Sequence, residues 1–189
     1  MMMEFEPLPF SGACLITPFY SPDRRGGFLK TFEQSCFRAH GIDINPSELF
    51  YTKSAKGTVR GLHFQYNCCQ DKLVSVLNGA AYDVIVDLRE NSPTFGQWQG
   101  FHLSAQDQQT LYVPKGFAHG FLALEDETLF AYLCGGPYDP DSDSGIVWND
   151  PELSVQWPMT GIAHIIVSEK DQSLPTFSQF RETHGALLK

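Results

Sequence analysis

The sequence predicts an all-β protein built as an antiparallel sandwich or jelly roll, with a few short peripheral helices. Short segments rich in β-branched and aromatic residues follow one another, separated by Gly, Pro, Asn or Asp. Helical periodicity is weak along the chain. The composition, with 15 Phe, 7 Tyr, 16 Gly and 12 Pro, also favours short strands and tight turns over long helices.

Each predicted element follows from a local pattern. Short helices are predicted over 33–40 and over 176–186. In one strand segment, Tyr82, Val84 and Val86 alternate with two aspartates, which predicts a strand with one buried face. The predicted strands span 13–20, 27–33, 48–54, 58–65, 72–77, 80–88, 97–103, 109–114, 119–125, 127–134 and 163–168.

Length and charge limit the function classes. The chain has 189 residues, of which 42% are hydrophobic, so we expect a single domain over 1–189 with its own core. The 13 Lys and Arg residues against 22 Asp and Glu give a formal net charge of −9. This charge disfavours nucleic acids and anionic membranes as partners, and local basic groups would have to bind any anionic ligand.

The chain's start and the cysteines predict a cytoplasmic protein. No basic segment followed by an apolar one opens the sequence, so no signal peptide is expected. No apolar run reaches the roughly 20 residues that a membrane helix needs. The five cysteines form no disulfide framework, as in a reducing compartment. We interpret the adjacent Cys68 and Cys69 as loop thiols rather than a redox or zinc site, since zinc sites need Cys-x-x-Cys spacing.

A first candidate cluster lies in the predicted strand 58–65. In a regular strand Arg60 and Leu62 face one side, and Gly61 and His63 face the other. Glycine weakens a strand, so its position beside a histidine indicates a close approach there, for example of a ligand. The alternative is a hydrogen-bonded core histidine.

A second cluster, PKGFAHG at 114–120, contains His119 and resembles the second half of the metal-binding motif of cupins. The first half would be G-x5-H-x-H followed by a glutamate. A glycine and His63 match it, but Gln65 replaces the second histidine, and Lys72 lies near the position of the carboxylate ligand. An ammonium repels a metal cation, so we expect a cupin-type double-stranded β-helix that holds no metal.

Three further segments each have a functional and a structural interpretation. Asp171, after the predicted strand 163–168, is either a turn cap or the carboxylate partner of His63. Tyr132 is either a packing residue or a phenol that forms an acid–base pair with an imidazole across a pocket. The run DRRGGF at 23–28 is either a solvated turn or a phosphate clamp.

Taken together, these segments resemble the dTDP-4-dehydrorhamnose 3,5-epimerase family. They span most of the chain in the family's order and spacing. Their combination is specific, although each motif alone is modest. The matching segments are DRRGGF (23–28), GTVRGLHFQ (57–65), DKLVSVLNG (71–79), DVIVDLRENSPTFGQW (83–98), LYVPKGFAHGF (111–121), GIVWNDPELSVQWP (145–158) and SEKDQSLP (168–175).

The resemblance implies a metal-free cupin fold without a cofactor, a homodimer, and a nucleotide-linked 4-keto-6-deoxyhexose as substrate. The reaction would invert C3, C5 or both, beside the C4 ketone, by removing and returning protons. In the family pattern His63 is the base and Asp171 its partner. Lys72 stabilises the enolate oxygen, and Tyr132 donates a proton from the opposite face.

The resemblance also implies a set of substrate-binding residues around the pyrophosphate, the base and the sugar. Arg25 matches a position that reaches the nucleotide from the neighbouring subunit, and Phe28 and Tyr138 match positions that pack near the base or sugar. The positions expected around the pyrophosphate are Arg60, His119 and Lys170. The full set expected to bind substrate is Arg60, His119, Arg25, Lys170, Phe28, Tyr138, Glu48 and Gln65.

Three positions depart from the family pattern where the family contacts the nucleotide. Lys30 replaces a usual glutamate, and Glu48 and Phe50 align with a usual glutamine and asparagine. These exchanges alter the charge, and Phe50 removes an amide able to read a pyrimidine edge. We therefore hypothesise that the acid–base chemistry persists while the nucleotide or the exact sugar differs.

Three alternatives stay open on the sequence alone. A single-centre epimerase, inverting C3 or C5 of a differently activated nucleotide sugar, would share the same His, Asp and Tyr. A non-catalytic cupin that binds nucleotide sugars would be expected to lack them. A metal-dependent cupin, such as a dioxygenase, is disfavoured by Gln65 and Lys72.

Overall fold

The computed structural model describes residues 3–10 and 12–187. Within these ranges the chain is mostly short strands, and its helices are short. The strands are β1 (Glu4–Pro7), β2 (Cys14–Thr17), β3 (Phe19–Asp23), β4 (Gly26–Lys30), β5 (Pro46–Ser54), β6 (Val59–Gln65), β7 (Asp71–Asn78), β8 (Ala80–Asp87), β9 (Trp98–Ser104), β10 (Thr110–Val113), β11 (Phe117–Ala123), β12 (Thr128–Gly135) and β13 (Asp143–Gly145). The helices are α1 (Gln34–Ala39), α2 (Glu169–Gln172) and α3 (Phe177–His184).

Two antiparallel sheets form the body of the fold. The six-stranded sheet has the order β1-β2-β10-β7-β12-β5, and the five-stranded sheet has the order β13-β6-β11-β8-β9. Strands β3 and β4 form a separate hairpin. From β5 to β13 the chain alternates between the two sheets at every step except β8 to β9, as in a jelly roll, so the predicted all-β double-stranded β-helix is confirmed.

The main apolar core lies between the two sheets. Val74 and Phe130 come from the six-stranded sheet, and Ile85 and Phe121 from the five-stranded one. The rings of Phe121 and Phe130 stack across the interface with their centroids 4.3 Å apart. Burying one side chain of this size contributes roughly 1.5–3 kcal/mol, so this core holds the two sheets face to face.

The C-terminal part of the chain covers the outer face of the five-stranded sheet. Phe177 of α3 belongs to an apolar cluster there with Val84 and Val86 of β8. The prediction of one buried face for β8 is therefore wrong, because this cover buries the outer face and the other sheet buries the inner one. The aspartates of β8 are fully buried as well, and these are Asp83 and Asp87.

The helices cap the sheets rather than contribute to the central core. The two predicted helices are confirmed as α1 and α3, and Phe37 of α1 is buried with Ile16 and Leu73 against the six-stranded sheet. Helix α3 begins with a capping box formed by Thr176 and Gln179. Of the helices in the described ranges, none has the length and apolar character needed to cross a membrane.

The predicted strands match most of the observed ones, with three differences. The predicted segment 13–20 divides into β2 and β3, and the short strands β1 and β13 were not predicted. The prediction of a strand over 163–168 is wrong. Only Ile166 pairs there, in an isolated bridge to Thr58. Farther along the same edge of β6, the residues His63–Gln65 pair with β13 instead.

Asp87 organises the turn between β8 and β9. Its carboxylate accepts hydrogen bonds from Arg89 Nε at 2.9 Å and Nη2 at 2.7 Å. The hydroxyls of Ser92 and Thr94 donate to it at 2.6 Å. Burial acts to raise the pKa of Asp87, but these hydrogen bonds outweigh burial and lower the pKa to about 2.

We expect Asp87→Asn to destabilise the protein by about 2–3 kcal/mol at neutral pH, because it replaces the charge-assisted hydrogen bonds between this carboxylate and the Arg89 guanidinium by weaker neutral ones. The ionised carboxylate stabilises the fold fully above its ordinary pKa of 3.8, and this contribution is lost as the pH falls toward about 2. The difference between variant and wild type should therefore shrink in acid. Urea unfolding at pH 7 and pH 3 measures it.

The control for this experiment is Ser92→Ala, which removes one neutral donor from the same carboxylate and should cost only about 1 kcal/mol. Equal destabilisation by Asp87→Asn at both pH values would contradict the assigned role of the ionised carboxylate.

Candidate active site

A cavity of about 630 Å³ lies between the two sheets. Strands β5, β7 and β12 form one wall, β6 and β11 form the opposite wall, and residues around α2 close one side. Its volume is in the usual range for small-molecule sites. All of the sequence-predicted site residues except Arg25 and Phe28 line it, namely Glu48, Arg60, His63, Gln65, Lys72, His119, Tyr132, Tyr138, Lys170 and Asp171.

An irregularity in β6 brings Arg60 and His63 to the same wall. The pairing of β6 with β11 shifts register here, so that four residues of β6, from Arg60 to His63, lie opposite three of β11, from Phe121 to His119. The prediction that Arg60 and His63 face opposite sides is therefore wrong. Leu62 points away from the cavity into the outer apolar cluster.

The glycine beside His63 accommodates backbone rather than a ligand. A Cβ atom at Gly61 would lie 2.6 Å from the Cα of Gly120 on the neighbouring strand, and Gly61 has a φ of +120°. The close approach predicted from this glycine is thus real, but its origin is the packing of β6 against β11.

His63 forms a hydrogen-bonded pair with Asp171. The Asp171 Oδ1 atom lies 3.0 Å from His63 Nε2, and Asp171 Oδ2 accepts a hydrogen bond from the Gly61 amide at 3.0 Å. Ser168, not Asp171, caps helix α2. The interpretation of Asp171 as a mere turn cap is therefore wrong.

The electrostatics of this pair keep Asp171 ionised. Burial acts to raise the pKa of Asp171, but the hydrogen bonds from His63 and Gly61 outweigh it and lower the pKa to about 2. A carboxylate that accepts from Nε2 holds the proton on that nitrogen. The other ring nitrogen of His63, Nδ1, then carries the lone pair and is the basic atom.

A second imidazole–carboxylate pair lies deeper in the cavity and includes a residue that the sequence reasoning missed. His119 Nε2 is 2.7 Å from Asp83 Oδ2, and both side chains are nearly or fully buried. Asp83 Oδ1 has no hydrogen-bond partner among the described residues. The alternation of Asp83 with apolar residues on β8 suggested a solvent-facing position, and only the buried partner on β11 shows otherwise.

Tyr132 and Lys72 lie on the wall opposite His63. Tyr132 is 8% exposed, and burial raises the pKa of its phenol, so the hydroxyl stays protonated at neutral pH. Lys72 is on the same sheet, and burial lowers the pKa of its ammonium. The side chain of Lys72 makes no hydrogen bond or ion pair with other described residues, so its ammonium is available to a ligand.

The cavity mouth combines free and paired cations. Arg60 donates to Ser54 Oγ at 3.1 Å and has no carboxylate partner in the described part of the chain. Lys170 Nζ lies 2.5 Å from Asp143 Oδ2, which also accepts a hydrogen bond from the Tyr138 hydroxyl at 2.9 Å. The mouth therefore presents the Arg60 guanidinium to an anion directly and the Lys170 ammonium only in competition with Asp143.

Two amide side chains are engaged with neighbouring segments. Gln65 Nε2 donates to the carbonyl oxygens of Cys68 at 2.8 Å and Pro137 at 3.2 Å. Gln70 Nε2 donates to Glu48 Oε2 at 3.2 Å. Gln65 thus fixes the loops beside the cavity, and Glu48 keeps one oxygen for a ligand.

Arg25 and Phe28 do not reach this cavity. They lie on the β3–β4 hairpin, where the Arg25 side chain is 85% exposed and Phe28 is 58% exposed. Arg25 pairs with Asp23 on the same turn. Lys30, at the end of the hairpin, pairs with Glu33 at 2.8 Å and is likewise outside the cavity.

The donor set does not fit a cupin metal. The described residues contain no group of three or more His, Cys, Asp or Glu side chains arranged to hold a metal ion. Gln65 stands where a second histidine ligand would be needed, and its amide nitrogen is already bound to two carbonyls. Lys72 brings a cation toward the same space. These side chains suit proton transfer and anion stabilisation instead.

Comparison with known proteins identifies the family. The family model for dTDP-4-dehydrorhamnose 3,5-epimerase matches residues 7–179. The chain belongs to the dTDP-4-dehydrorhamnose 3,5-epimerase family. The predicted family and the predicted enzyme class, an isomerase of the epimerase type, are thereby confirmed.

Individual members of this epimerase family align over most of the chain. The dTDP-4-dehydrorhamnose 3,5-epimerase of Methanothermobacter thermautotrophicus is 42% identical over 174 residues, which cover 91% of this chain and 94% of that protein. The Legionella pneumophila enzyme, solved in complex with dTDP-4-keto-L-rhamnose, is 37% identical with a TM-score of 0.88 over 93% of each chain. ChmJ from Streptomyces bikiniensis, a 3'-monoepimerase solved with dTDP-quinovose, is 31% identical with a TM-score of 0.87, covering 97% of this chain and 92% of that one.

Proposed function

We propose that this epimerase inverts both C3 and C5 of dTDP-4-dehydro-6-deoxyglucose, giving dTDP-4-dehydrorhamnose. The observation that carries the proposal is the opposition of two proton-transfer groups in one cavity. His63, paired with Asp171, is on the five-stranded sheet, and Tyr132 is on the six-stranded sheet. Relatives of about 40% identity that bear the name of this activity support the substrate.

His63 starts the reaction as the base. Its Nδ1 atom removes the proton from the carbon beside the C4 ketone, and the electron pair of the broken C–H bond moves onto the C4 oxygen as an enolate. Asp171 stays ionised and stabilises the imidazolium that forms. A positioned base of this kind contributes roughly 10²–10⁴-fold to the rate.

Lys72 stabilises the enolate oxygen. Burial partly desolvates its ammonium, and a charge–charge interaction is stronger there than in bulk solvent. His119 lies deeper than the cations of the mouth, with its ring centroid 5.9 Å from that of Tyr132. We therefore assign His119 to the sugar rather than to the pyrophosphate that the family resemblance implied.

Tyr132 completes the inversion. Its hydroxyl gives a proton to the carbon from the face opposite His63, the enolate electron pair returns to form the new C–H bond, and the ketone is restored. The high pKa of the buried phenol keeps the donor protonated before the step. Solvent then removes the proton from His63 and returns one to the phenolate, so that no cofactor is consumed.

The nucleotide part binds at the mouth, and a second copy of the chain completes it. Arg60, which has no carboxylate partner in the described ranges, supplies a cation that binds the pyrophosphate. Lys170 also binds the pyrophosphate once its ammonium leaves Asp143. Arg25 and Phe28 are exposed on a hairpin outside their own cavity, so we propose that they reach the cavity of the partner in a homodimer.

The free cysteines support a reducing, cytoplasmic location.

A single-centre epimerase is the second candidate. It is favoured by one observation, the likeness to ChmJ, a 3'-monoepimerase that is 31% identical with a TM-score of 0.87. The same base and donor suffice for one centre or for two. Only the position of the sugar relative to His63 and Tyr132 differs between the two reactions.

Incubation with dTDP-4-dehydro-6-deoxyglucose in deuterated water tests the reaction. We expect deuterium at both C3 and C5 of the product. His63→Ala should abolish exchange, whereas Tyr132→Phe should keep exchange and lose most net inversion, because only the returning proton is missing. Mass spectrometry and NMR of the sugar measure both.

The outcomes separate the candidates. Deuterium at one carbon alone would assign a single-centre enzyme, and no exchange at all in wild type would contradict the proposed function. Normal inversion by Tyr132→Phe would mean that another group, such as Tyr138 or water, donates the proton.

The nucleotide is tested by competition. We expect the kcat/KM for the dTDP-linked sugar to exceed that for the CDP- and GDP-linked sugars by about tenfold or more, because the cavity mouth fits one nucleotide base better than the others. Preference for CDP or GDP would instead support the hypothesis that Glu48 and Phe50 alter nucleotide choice. Glu48→Gln, which restores the amide usual in the family, serves as the matched control and should retain the preference for dTDP.

Subunit complementation tests the shared site. Arg25→Glu and His63→Ala chains should each be nearly inactive, since one lacks the hairpin cation and the other the base. After mixing and subunit exchange, half of the dimers pair one chain of each kind, and one of their two sites is intact. We expect activity to return to about a quarter of wild type.

Light scattering measures the oligomeric state, and activity is measured before and after subunit exchange. A monomer in solution, or a mixture that stays inactive although exchange has occurred, would contradict the reach of Arg25 into a partner's cavity.

A further inference from the structure

Phe50 departs from the family pattern, and its ring lies against the ring of Tyr132. The two residues are direct cross-strand partners on β5 and β12. Their ring centroids are 4.7 Å apart, and the ring planes differ by 14°. Both side chains line the cavity. This is an offset or stacked aromatic pair within the attractive range.

Phe50 closes the solvent side of the phenol. Phe130 and His119 also contact the Tyr132 ring, at centroid distances of 5.0 and 5.9 Å, and both are buried in the core. Phe50 is 41% exposed and lies on β5, the last strand of the six-stranded sheet. Of these three contacts, only Phe50 is exposed to solvent, so it covers the side of the Tyr132 ring that the core does not.

We propose that Phe50 is a positioning residue that holds the Tyr132 hydroxyl on the path of the returning proton. The inference rests on the proposed function, in which Tyr132 gives that proton. The core contacts limit movement of the ring toward the interior, and Phe50 limits movement toward solvent. With both sides closed, the phenol keeps one orientation across the cavity from His63.

The position of the Tyr132 hydroxyl affects a measurable ratio, the number of exchange events per inversion. The enolate has two fates once His63 has removed the proton. Tyr132 protonates it from the opposite face and inverts the carbon, or the His63 imidazolium returns a proton to the original face. In deuterated water the imidazolium exchanges the proton it removed for a solvent deuteron, and the second route then leaves deuterium without inversion. A loosely held phenol favours that route, so the number of exchange events per inversion reports the position of Tyr132.

Phe50→Ala and Phe50→Tyr test the proposal in the deuterium experiment. We expect Phe50→Ala to raise the number of exchanges per inversion by about two- to tenfold, the factor that corresponds to the free energy of one aromatic pair. Phe50→Tyr keeps an aromatic ring against Tyr132 and should give the same number of exchanges per inversion as wild type. Ile166→Ala trims another exposed apolar side chain of the cavity and should leave the ratio unchanged.

Other results would overturn the inference in recognisable ways. If Phe50→Ala raises KM and leaves the ratio unchanged, Phe50 contacts the substrate and does not position Tyr132. If exchange and inversion fall together by the same factor, the variant has lost a general structural contribution. If wild type shows neither exchange nor inversion, the proposed function fails, and the role of Phe50 that rests on it fails with it.

Discussion

The hydrogen bond between Asp171 and His63 is the interaction on which the site depends. It joins residues 108 positions apart in the chain and ties the C-terminal segment to strand β6. The same carboxylate accepts from the Gly61 amide, so the backbone of β6 and the orientation of the imidazole are held by one group. Because Asp171 is only 4% exposed, water competes little for these bonds.

The two facing sheets place Tyr132 and Lys72 across the cavity from His63. Side chains alternate along each strand, so every second residue of β12 and β7 points toward the five-stranded sheet. Tyr132 and Lys72 occupy such positions opposite His63. The stacked Phe121 and Phe130 hold the sheets together below the cavity. The apolar core therefore sets the separation between His63 and Tyr132, the proposed base and proton donor.

Charge within the cavity differs from charge over the whole chain. The formal net charge is −9, yet Arg60, Lys72 and Lys170 all line the cavity. Carboxylates near these cations are engaged: Asp171 with His63, and Asp143 with Lys170. The cavity thus offers local cations to the proposed anionic nucleotide sugar despite the negative overall charge.

The sequence by itself determined the fold class, most strand positions and ten of the cavity residues, because strand alternation, turn residues and family motifs are local in the chain. Only the tertiary structure decided which of them meet. The bulge at Gly61 turns Arg60 and His63 to one wall, and Asp83 is buried because β11 places His119 beside it. Such contacts arise between strands, where register and sheet packing, rather than local sequence, set the distances.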